Sequence, residues 1–245
     1  MPPSTASSDI NHLSQAIQAH LASKHIPPTQ QWLQNFVPTL RLTTPLIANQ
    51  KTAEYRLLQT DICSTVQSTP RSTFSAGIAS PEVQEQRVPG PVPVQVLDIE
   101  DIGRSRWSQV EAIEMEERGE TKRGHEVIRV VAETEDENQE TQATTGANAQ
   151  SGPHKLLLQD CKGTKVYAFE LENVKGIGID LAIGSKLVIK DFVVARGVII
   201  LTNAGTEVLG GKVEAWDKKW REDRKKVLKE KAGWREGMGI DTSVT

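Results

Sequence analysis

The feature that most constrains this chain is a change in hydrophobic period. Over the first 62 residues, apolar side chains recur at helical spacing, whereas from residue 92 onward they alternate with polar ones as in β-strands. A helical period buries one stripe of a helix, and a period of two buries one face of a sheet. The chain is therefore predicted to begin with helices and to continue as a β domain.

The helical part predicts three short helices. Pro27 and Pro28 separate the first from the second, and Pro45 precedes the third. Thr29 is predicted to cap the second helix, because its hydroxyl can accept a bond from a free amide of the first turn. The apolar positions are Ile10, Leu13, Ile17 and Leu21, then Trp32, Leu33, Phe36, Val37 and Leu40, then Leu46, Ala53, Leu57, Leu58 and Ile62.

The β part predicts five short strands. They lie at 92–101, 155–160, 164–171, 184–194 and 198–201. Lys162–Gly163 and Arg196–Gly197 supply turns between neighbouring strands. Five short strands with a single irregular stretch, at 172–183, predict a small closed β-barrel.

These patterns place the chain in the α+β class. The predicted order is a small N-terminal three-helix bundle at 1–65, a linker at 66–91, a five-stranded barrel at 92–209, a C-terminal helix at 210–232 and a tail at 233–245. The third helix carries more apolar residues than a free bundle needs, so we expect the bundle to dock on the barrel. Trp216 and Trp220 share one face of the last helix, which we expect to pack on the barrel or the bundle.

A long insertion, at 103–153, separates the first two strands of the barrel. A loop this long inside a compact domain is usually functional or disordered. Its second half is acidic and then nearly featureless, which predicts disorder because little apolar surface offsets the ordering entropy. The apolar residues of the insertion either fold back on the barrel or bind a partner protein. These candidate protein-binding residues are Trp107, Val110, Ile113, Met115, Val127, Ile128 and Val130.

Composition excludes several classes of function. The net charge of −3 gives no overall positive field for nucleic acid. Neither a membrane-spanning stretch nor a secretory signal is found, so we expect an intracellular protein without a membrane partner. Cys63 and Cys161 lack metal-ligand spacing and are expected to be free thiols.

The sequence predicts no catalytic, cofactor-binding or metal-binding residues. The five histidines are scattered, and the pair Glu116–Glu117 lies in a charged run typical of a solvated surface. Gly176, Gly178 and Gly184 lack both the phosphate-loop lysine pattern and dinucleotide spacing, so they predict turns. The chain is therefore expected not to be an enzyme and to need no cofactor.

The order of these segments resembles the N-terminal region of the RecQ-mediated genome instability protein family. The matching pieces are IPPTQQWLQNFV and AEYRLLQTDI in the bundle, then VQVLDIEDIG, KLLLQDCKGTKVYAFELE, GSKLVIKDFVVARGVIILT and VLGGKVEAW. The resemblance implies that the barrel is an OB-fold with a long insertion between its first and second strands, in the compact single-barrel form.

The same resemblance implies a nuclear, non-catalytic scaffold. Family members bind a type IA topoisomerase (topoisomerase III) and a RecQ-type helicase in a complex that dissolves double Holliday junctions. In the family the insertion modulates the topoisomerase gate. The insertion of this chain does not match the family's better-known animal members, so this role is implied by position only.

A second hypothesis is a single-stranded nucleic-acid-binding OB-fold protein. Such a protein uses exposed aromatic side chains of the barrel, here Tyr167, Phe169 or Phe192. The last helix adds a basic face, although interleaved acidic residues favour internal ion pairs. Its candidate nucleic-acid contacts are Lys218, Lys219, Arg221, Arg224 and Lys225.

Overall fold

The computed structural model describes residues 5–41, 43–119 and 152–233. The described residues form two compact units. The larger unit holds those up to Ile102 and from Pro153 to Trp220, and the smaller holds 103–119, Gly152 and 221–233. The order of elements is α1 Thr5–Ser23, α2 Gln30–Phe36, a 3₁₀ turn Val37–Thr39, α3 Leu46–Leu58, α4 Ile62–Thr65, β1 Glu85–Val88, β2 Val92–Asp101, α5 Arg106–Glu117, β3 His154–Asp160, β4 Lys165–Glu170, β5 Lys186–Ile189, β6 Phe192–Ala195, β7 Val198–Leu201, β8 Thr206–Gly210 and α6 Glu214–Lys231.

The N-terminal helices form where the sequence predicts them, whereas helix α5 in the insertion was not predicted. Thr29 caps α2 by accepting a bond from the amide of Trp32 at 3.2 Å, which confirms its predicted role. The third predicted helix is divided, because α3 ends at Leu58 and Asp61 caps the separate short helix α4 through the amide of Cys63. The buried apolar residues that hold the helices together are Leu13, Ile17, Leu21, Ile26, Leu33, Val37, Ala53, Leu57, Leu58, Ile62 and Val66.

The β part is one curled sheet with the order β1-β6-β7-β4-β3-β2-β5-β8. All neighbours are antiparallel except β4 and β7, which are parallel. Only Lys190 and Asp191 separate β5 from β6, so one stretch of chain pairs with β2 at one end and β7 at the other. This bends the sheet on itself and confirms the predicted barrel of OB-fold type, with 184–194 as its kinked fourth strand.

Two further strands extend the five predicted ones. β1 pairs with β6, and β8 pairs with β5. The predicted linker at 66–91 thus contains a strand, and it also buries Phe74 and Ile78 in the barrel core. The sequence signal was weak because β1 is only four residues long and mostly exposed. Strands this short and solvated show little alternation.

The bundle docks on the barrel, as the sequence predicts. The buried cluster of the helices includes Cys161 of the β3–β4 turn, and Leu209 of β8 packs against it. At Gly211 an added Cβ would lie 2.3 Å from the carbonyl oxygen of Leu58, and the φ of +85° also favours glycine. The end of α3 and the chain after β8 therefore approach more closely than a side chain allows.

Candidate protein-interaction surfaces

Buried polar side chains fix the bundle to the barrel. Gln95 of β2 accepts a bond from the amide of Ile62 at 3.1 Å and donates to the carboxylate of Asp61 at 3.2 Å. The ammonium of Lys186, on β5, reaches the carbonyl oxygens of Leu58 and Thr60 at 3.0 and 2.5 Å. These bonds hold the C-terminal end of α3, so the two parts present their surfaces in a fixed arrangement.

Lys186 is one of the buried polar residues that the sequence did not predict. The sequence places it at an ordinary strand position, yet its side chain is fully buried and also donates to the carbonyl of Gly184 at 2.7 Å. Burial lowers the pKa of Lys186 to about 7, although the carboxylate of Asp61 acts in the opposite direction. The residue pattern does not reveal that Lys186 is buried, because both faces of β5 are covered in the fold. A sequence also does not show which strand lies beneath the helices.

A second buried polar group lies where the insertion leaves and rejoins the barrel. Asp101, the last residue of β2, is paired in register with His154, the first residue of β3, and both side chains are buried. The Nδ1 of His154 lies against the carboxylate of Glu170, which also accepts bonds from the amides of His154 at 2.8 Å and Val174 at 3.1 Å. These contacts fix the end of β2 and the start of β3, the two strands between which the insertion lies.

In the smaller unit, the first part of the insertion forms helix α5. The hydroxyl of Ser105 caps it by accepting a bond from the amide of Ser108 at 3.1 Å. Of the candidate protein-binding residues, Trp107 and Met115 are each 46% exposed and Ile113 is half-buried. Val110 is fully buried and is therefore a core residue, because its position on the helix turns it away from solvent. Val127, Ile128 and Val130, like the half of the insertion predicted to be disordered, lie outside the described residues.

Ion pairs within the smaller unit join α5 to the last part of α6. Lys225 lies 2.6 Å from Glu117 and 3.4 Å from Glu114, and Lys229 lies 2.8 Å from Glu114. The hydrogen bond from Lys229 is the main cause that lowers the pKa of Glu114. Arg224 donates to the side-chain oxygen of Gln109 at 3.4 Å. Two candidate nucleic-acid contacts, Arg224 and Lys225, thus have partners within the protein.

The first part of α6 packs on the barrel, which confirms the prediction for its two tryptophans. Trp216 and Trp220 contact the barrel core, and the indole N–H of Trp220 donates to Asp98 of β2 at 2.7 Å. Asp217 is buried and accepts a bond from the amide of Ile183 at 2.9 Å. The remaining candidate nucleic-acid contacts, Lys218, Lys219 and Arg221, are exposed on the helix.

An apolar surface covers the outside of strands β3, β4, β7 and β6. The register aligns two rows of side chains that share this side of the sheet, and the rows are Leu157, Tyr167, Val198 and Ala195, and Lys155, Phe169, Ile200 and Val193. Each of these side chains is exposed or half-buried, and the alternate positions of the same strands are buried in the barrel. We call this set, with Leu171, the outer barrel face.

The aromatic residues proposed for stacking divide between the two sides of the sheet. Tyr167 is 49% exposed on the outer barrel face, with the ammonium of Lys155 4.3 Å from the centre of its ring. Phe169 is half-buried beside it. Phe192 is buried, and its ring meets the ring of Phe74 edge to face at a centroid distance of 6.4 Å. The prediction that Phe192 is exposed for base stacking was therefore wrong. Successive side chains of β6 alternate between the two faces of the sheet, and Phe192 lies on the face that forms the core.

Among residues 5–41, 43–119 and 152–233, no group of three or more histidine, cysteine, aspartate or glutamate side chains is arranged to hold a metal ion. The described helices include none that is long and apolar enough to span a bilayer.

Comparison with known proteins covers both parts of the larger unit. A family profile described as "RMI1, N-terminal helical domain" matches residues 21–65, and a profile described as "RMI1, N-terminal OB-fold domain" matches residues 73–224. The chain is also 30% identical over 200 residues to RecQ-mediated genome instability protein 1 of Schizosaccharomyces pombe. That alignment spans 77% of this chain and 83% of the yeast protein.

Proposed function

This chain belongs to the RecQ-mediated genome instability protein 1 family, and on that premise we propose that it is a non-catalytic scaffold acting in genome stability. Its partners in this proposal are a type IA topoisomerase (topoisomerase III) and a RecQ-type helicase. It promotes decatenation and double Holliday junction dissolution in the nucleus, and its insertion modulates the topoisomerase gate.

The observation that carries the proposal is the match to both family domains in the family's order. The name of the Schizosaccharomyces pombe relative refers to RecQ-mediated genome instability, which supports a RecQ-type helicase as one partner. The fold adds a physical argument, because the bundle, barrel and first part of α6 form one unit with several surfaces. A fixed arrangement of surfaces suits a protein that positions other proteins.

The insertion supports the proposed regulatory part of this function. A hairpin turn would suffice to join β2 to β3, so folding of the barrel does not require 103–152. Helix α5 exposes Trp107 and Met115, which are residue types favoured at the centres of protein interfaces. In this proposal Trp107 and Met115 act on the topoisomerase gate, while the barrel and the bundle supply most of the binding affinity.

The test is co-elution of the purified full chain with topoisomerase III in gel filtration at about 0.5 M salt, where interactions between exposed charges are largely screened. We expect a complex that survives this salt and a topoisomerase whose decatenation rate changes on addition of the chain. ATP hydrolysis or relaxation of supercoiled DNA by the chain alone would contradict the scaffold proposal.

The position of Tyr167 and Phe169 on the outer barrel face favours a second candidate, single-stranded nucleic-acid binding. In that function Lys155, Lys218 and Lys219 provide phosphate contacts. Binding of a labelled oligonucleotide that is tight and falls steeply with salt would support it.

A further inference from the structure

Strand β1 lies at one end of the sheet and pairs with a single neighbour. Its residues, Glu85–Val88, are joined to β6, and no other strand follows it in the order of the sheet. In the described part of the chain, no backbone hydrogen bond leads from these residues to a segment other than β6. A free strand edge carries unpaired amides and carbonyls, onto which an extended peptide can add as a further strand.

A groove of about 500 Å³ lies between this strand and the chain that precedes it. Its walls come from two stretches, 70–75 and 86–90, so the second half of β1 forms part of one wall. We call it the β1 groove, and the side chains that matter here are Arg71, Thr73 and Ser75 on one wall and Gln86, Arg87 and Val88 on the other. Of the described residues that line it, two are arginines and none is an aspartate or glutamate.

Both arginines of the β1 groove are available to a ligand. Neither Arg71 nor Arg87 forms a hydrogen bond or an ion pair with another of the described residues, and both side chains are exposed. Along the strand register, the carboxylates closest to Arg87 belong to Glu85 and to Asp191 of the β5–β6 turn, and neither lines the groove. Two guanidinium groups that share one groove bind anionic oxygen atoms, because each can donate two parallel bonds to a carboxylate.

Protection of the edge against unwanted pairing does not account for the groove. Charged side chains and prolines on an edge strand keep other chains away, and Arg87 and Pro89 serve that purpose. Arg71 belongs to a different segment, yet its side chain lines the same groove. Ser75 and Gln86 add a hydroxyl and an amide that have no hydrogen-bond partner among the described side chains. The groove therefore offers several polar donors to a ligand.

The charge of the groove and the free edge of β1 together select the kind of ligand. An extended peptide with acidic side chains can pair its backbone with β1 and place carboxylates at both arginines. A nucleic acid has phosphates for the arginines, but it has no row of amides and carbonyls for the strand edge. A second copy of β1 carries one glutamate and one arginine, so it brings no net negative charge to the groove.

We propose that the β1 groove binds an extended acidic peptide segment of a partner protein, which adds to the sheet beside β1 and places its carboxylates at Arg71 and Arg87. This inference goes beyond the proposed function, and it can be tested without the topoisomerase or the helicase.

The test uses fluorescence anisotropy of a labelled peptide of about ten residues, alternating glutamate and valine, titrated with the full chain at about 0.1 M salt. Alternation places every glutamate on one side of the added strand. We expect the wild type to bind, and the groove variant, Arg71→Gln with Arg87→Gln, to bind at least about tenfold more weakly because charge-assisted bonds are lost. The control, Arg41→Gln with Arg56→Gln, removes the same charge from exposed arginines of the bundle and should bind like the wild type. Circular dichroism checks that both variants are folded.

A second peptide separates backbone pairing from charge alone. The same sequence with alternate amides methylated keeps every carboxylate but loses the hydrogen-bond donors of one edge, so we expect it not to bind. Binding of the unmodified peptide should also slow amide exchange at 85–88. Equal binding of the two peptides, or equal binding by the groove variant and the control, would overturn the inference.

Other occupants of the groove give distinct results, each of which also overturns the inference. Binding of a single-stranded oligonucleotide that is lost in the groove variant, without binding of the peptide, would assign the groove to nucleic acid. A wild-type dimer in light scattering that only the groove variant dissociates would assign it to a second copy. Binding of the peptide solely when 104–152 is replaced by a short turn would assign it to the chain's own acidic run, 133–140. None of these results bears on the proposed function.

Discussion

At the scale of single residues, Lys186 shows how a charged side chain can join two parts of a protein. A lysine is rarely buried without partners, because removing an ammonium from water is costly. Here the carbonyl oxygens of Leu58, Thr60 and Gly184 surround it. The residue caps α3 from the barrel, so we expect the stability of the bundle to depend on pH.

The pH dependence has a definite sign. Burial lowers the pKa of Lys186 to about 7 in the folded chain, from 10.5 when it is exposed. Between these two values the unfolded chain binds more protons than the folded chain, so the free energy of unfolding rises with pH. Below about pH 7 both states hold the proton and the contribution of Lys186 is constant.

The first prediction follows for Lys186→Met. We expect the difference in unfolding free energy between wild type and variant to change across pH 7 to 9.5 by up to about 1.4 kcal/mol per pH unit, in favour of the wild type. Urea denaturation at a series of pH values measures it, with Lys190→Met as a control for the change in net charge. Parallel pH curves for wild type and Lys186→Met would show that the buried lysine does not titrate in this range.

At the scale of secondary-structure elements, the two ends of α6 make different contacts. Its first turns bury Trp216 and Trp220 against the barrel, and Lys225 and Lys229 further along form ion pairs with α5. Apolar contacts contribute more to stability than exposed ion pairs, which add little. The stability contribution of the first turns of α6 is therefore concentrated in the two tryptophans.

We predict that Trp216→Ala combined with Trp220→Ala lowers the melting temperature by roughly 5–10 °C, because the pair loses apolar burial and Asp98 loses its indole donor. Differential scanning calorimetry measures the change. Trp107→Ala, which removes a tryptophan that is 46% exposed, is the matched control and should leave the melting temperature nearly unchanged. Equal effects of the two changes would mean that the contacts of α6 do not stabilise the barrel.

The helix of the insertion carries a prediction about activity. Trp107→Ala with Met115→Ala should leave folding and topoisomerase binding intact and should reduce the effect of the chain on the decatenation rate several-fold. The control variant is Glu111→Ala with Glu116→Ala, which also shortens two exposed side chains of α5. Decatenation of linked DNA circles by topoisomerase III is the assay, and an unchanged rate would remove these two residues from the proposed contact.

At the scale of the whole molecule, periodicity predicted the bundle, the barrel and the last helix because each buries an apolar stripe or face. It did not predict β1, whose four residues are mostly exposed and owe their conformation to pairing with β6. It also could not separate the exposed residues of the insertion, Trp107 and Met115, from the buried Val110, since burial depends on tertiary contacts. The buried Lys186 was missed for the same reason.

The outer barrel face shows a related limit. The alternation in β4 places Tyr167 and Phe169 on one side of the strand, but a sequence does not tell which side faces the core. The answer depends on which strands are neighbours, and only the register with Val198 and Ile200 places these residues outside. Position in the barrel therefore decides whether an apolar residue stabilises the fold or is available to a partner.

We propose that this chain is a scaffold that regulates a topoisomerase. The most direct test measures the decatenation rate of topoisomerase III alone, with the full chain, and with a variant in which 104–152 is replaced by a short Gly-Ser turn. We expect the full chain to change the rate and the shortened variant to bind the enzyme without changing it, because long insertions can be removed at a small cost in loop entropy. A full chain that neither binds the topoisomerase nor changes its rate would contradict the account.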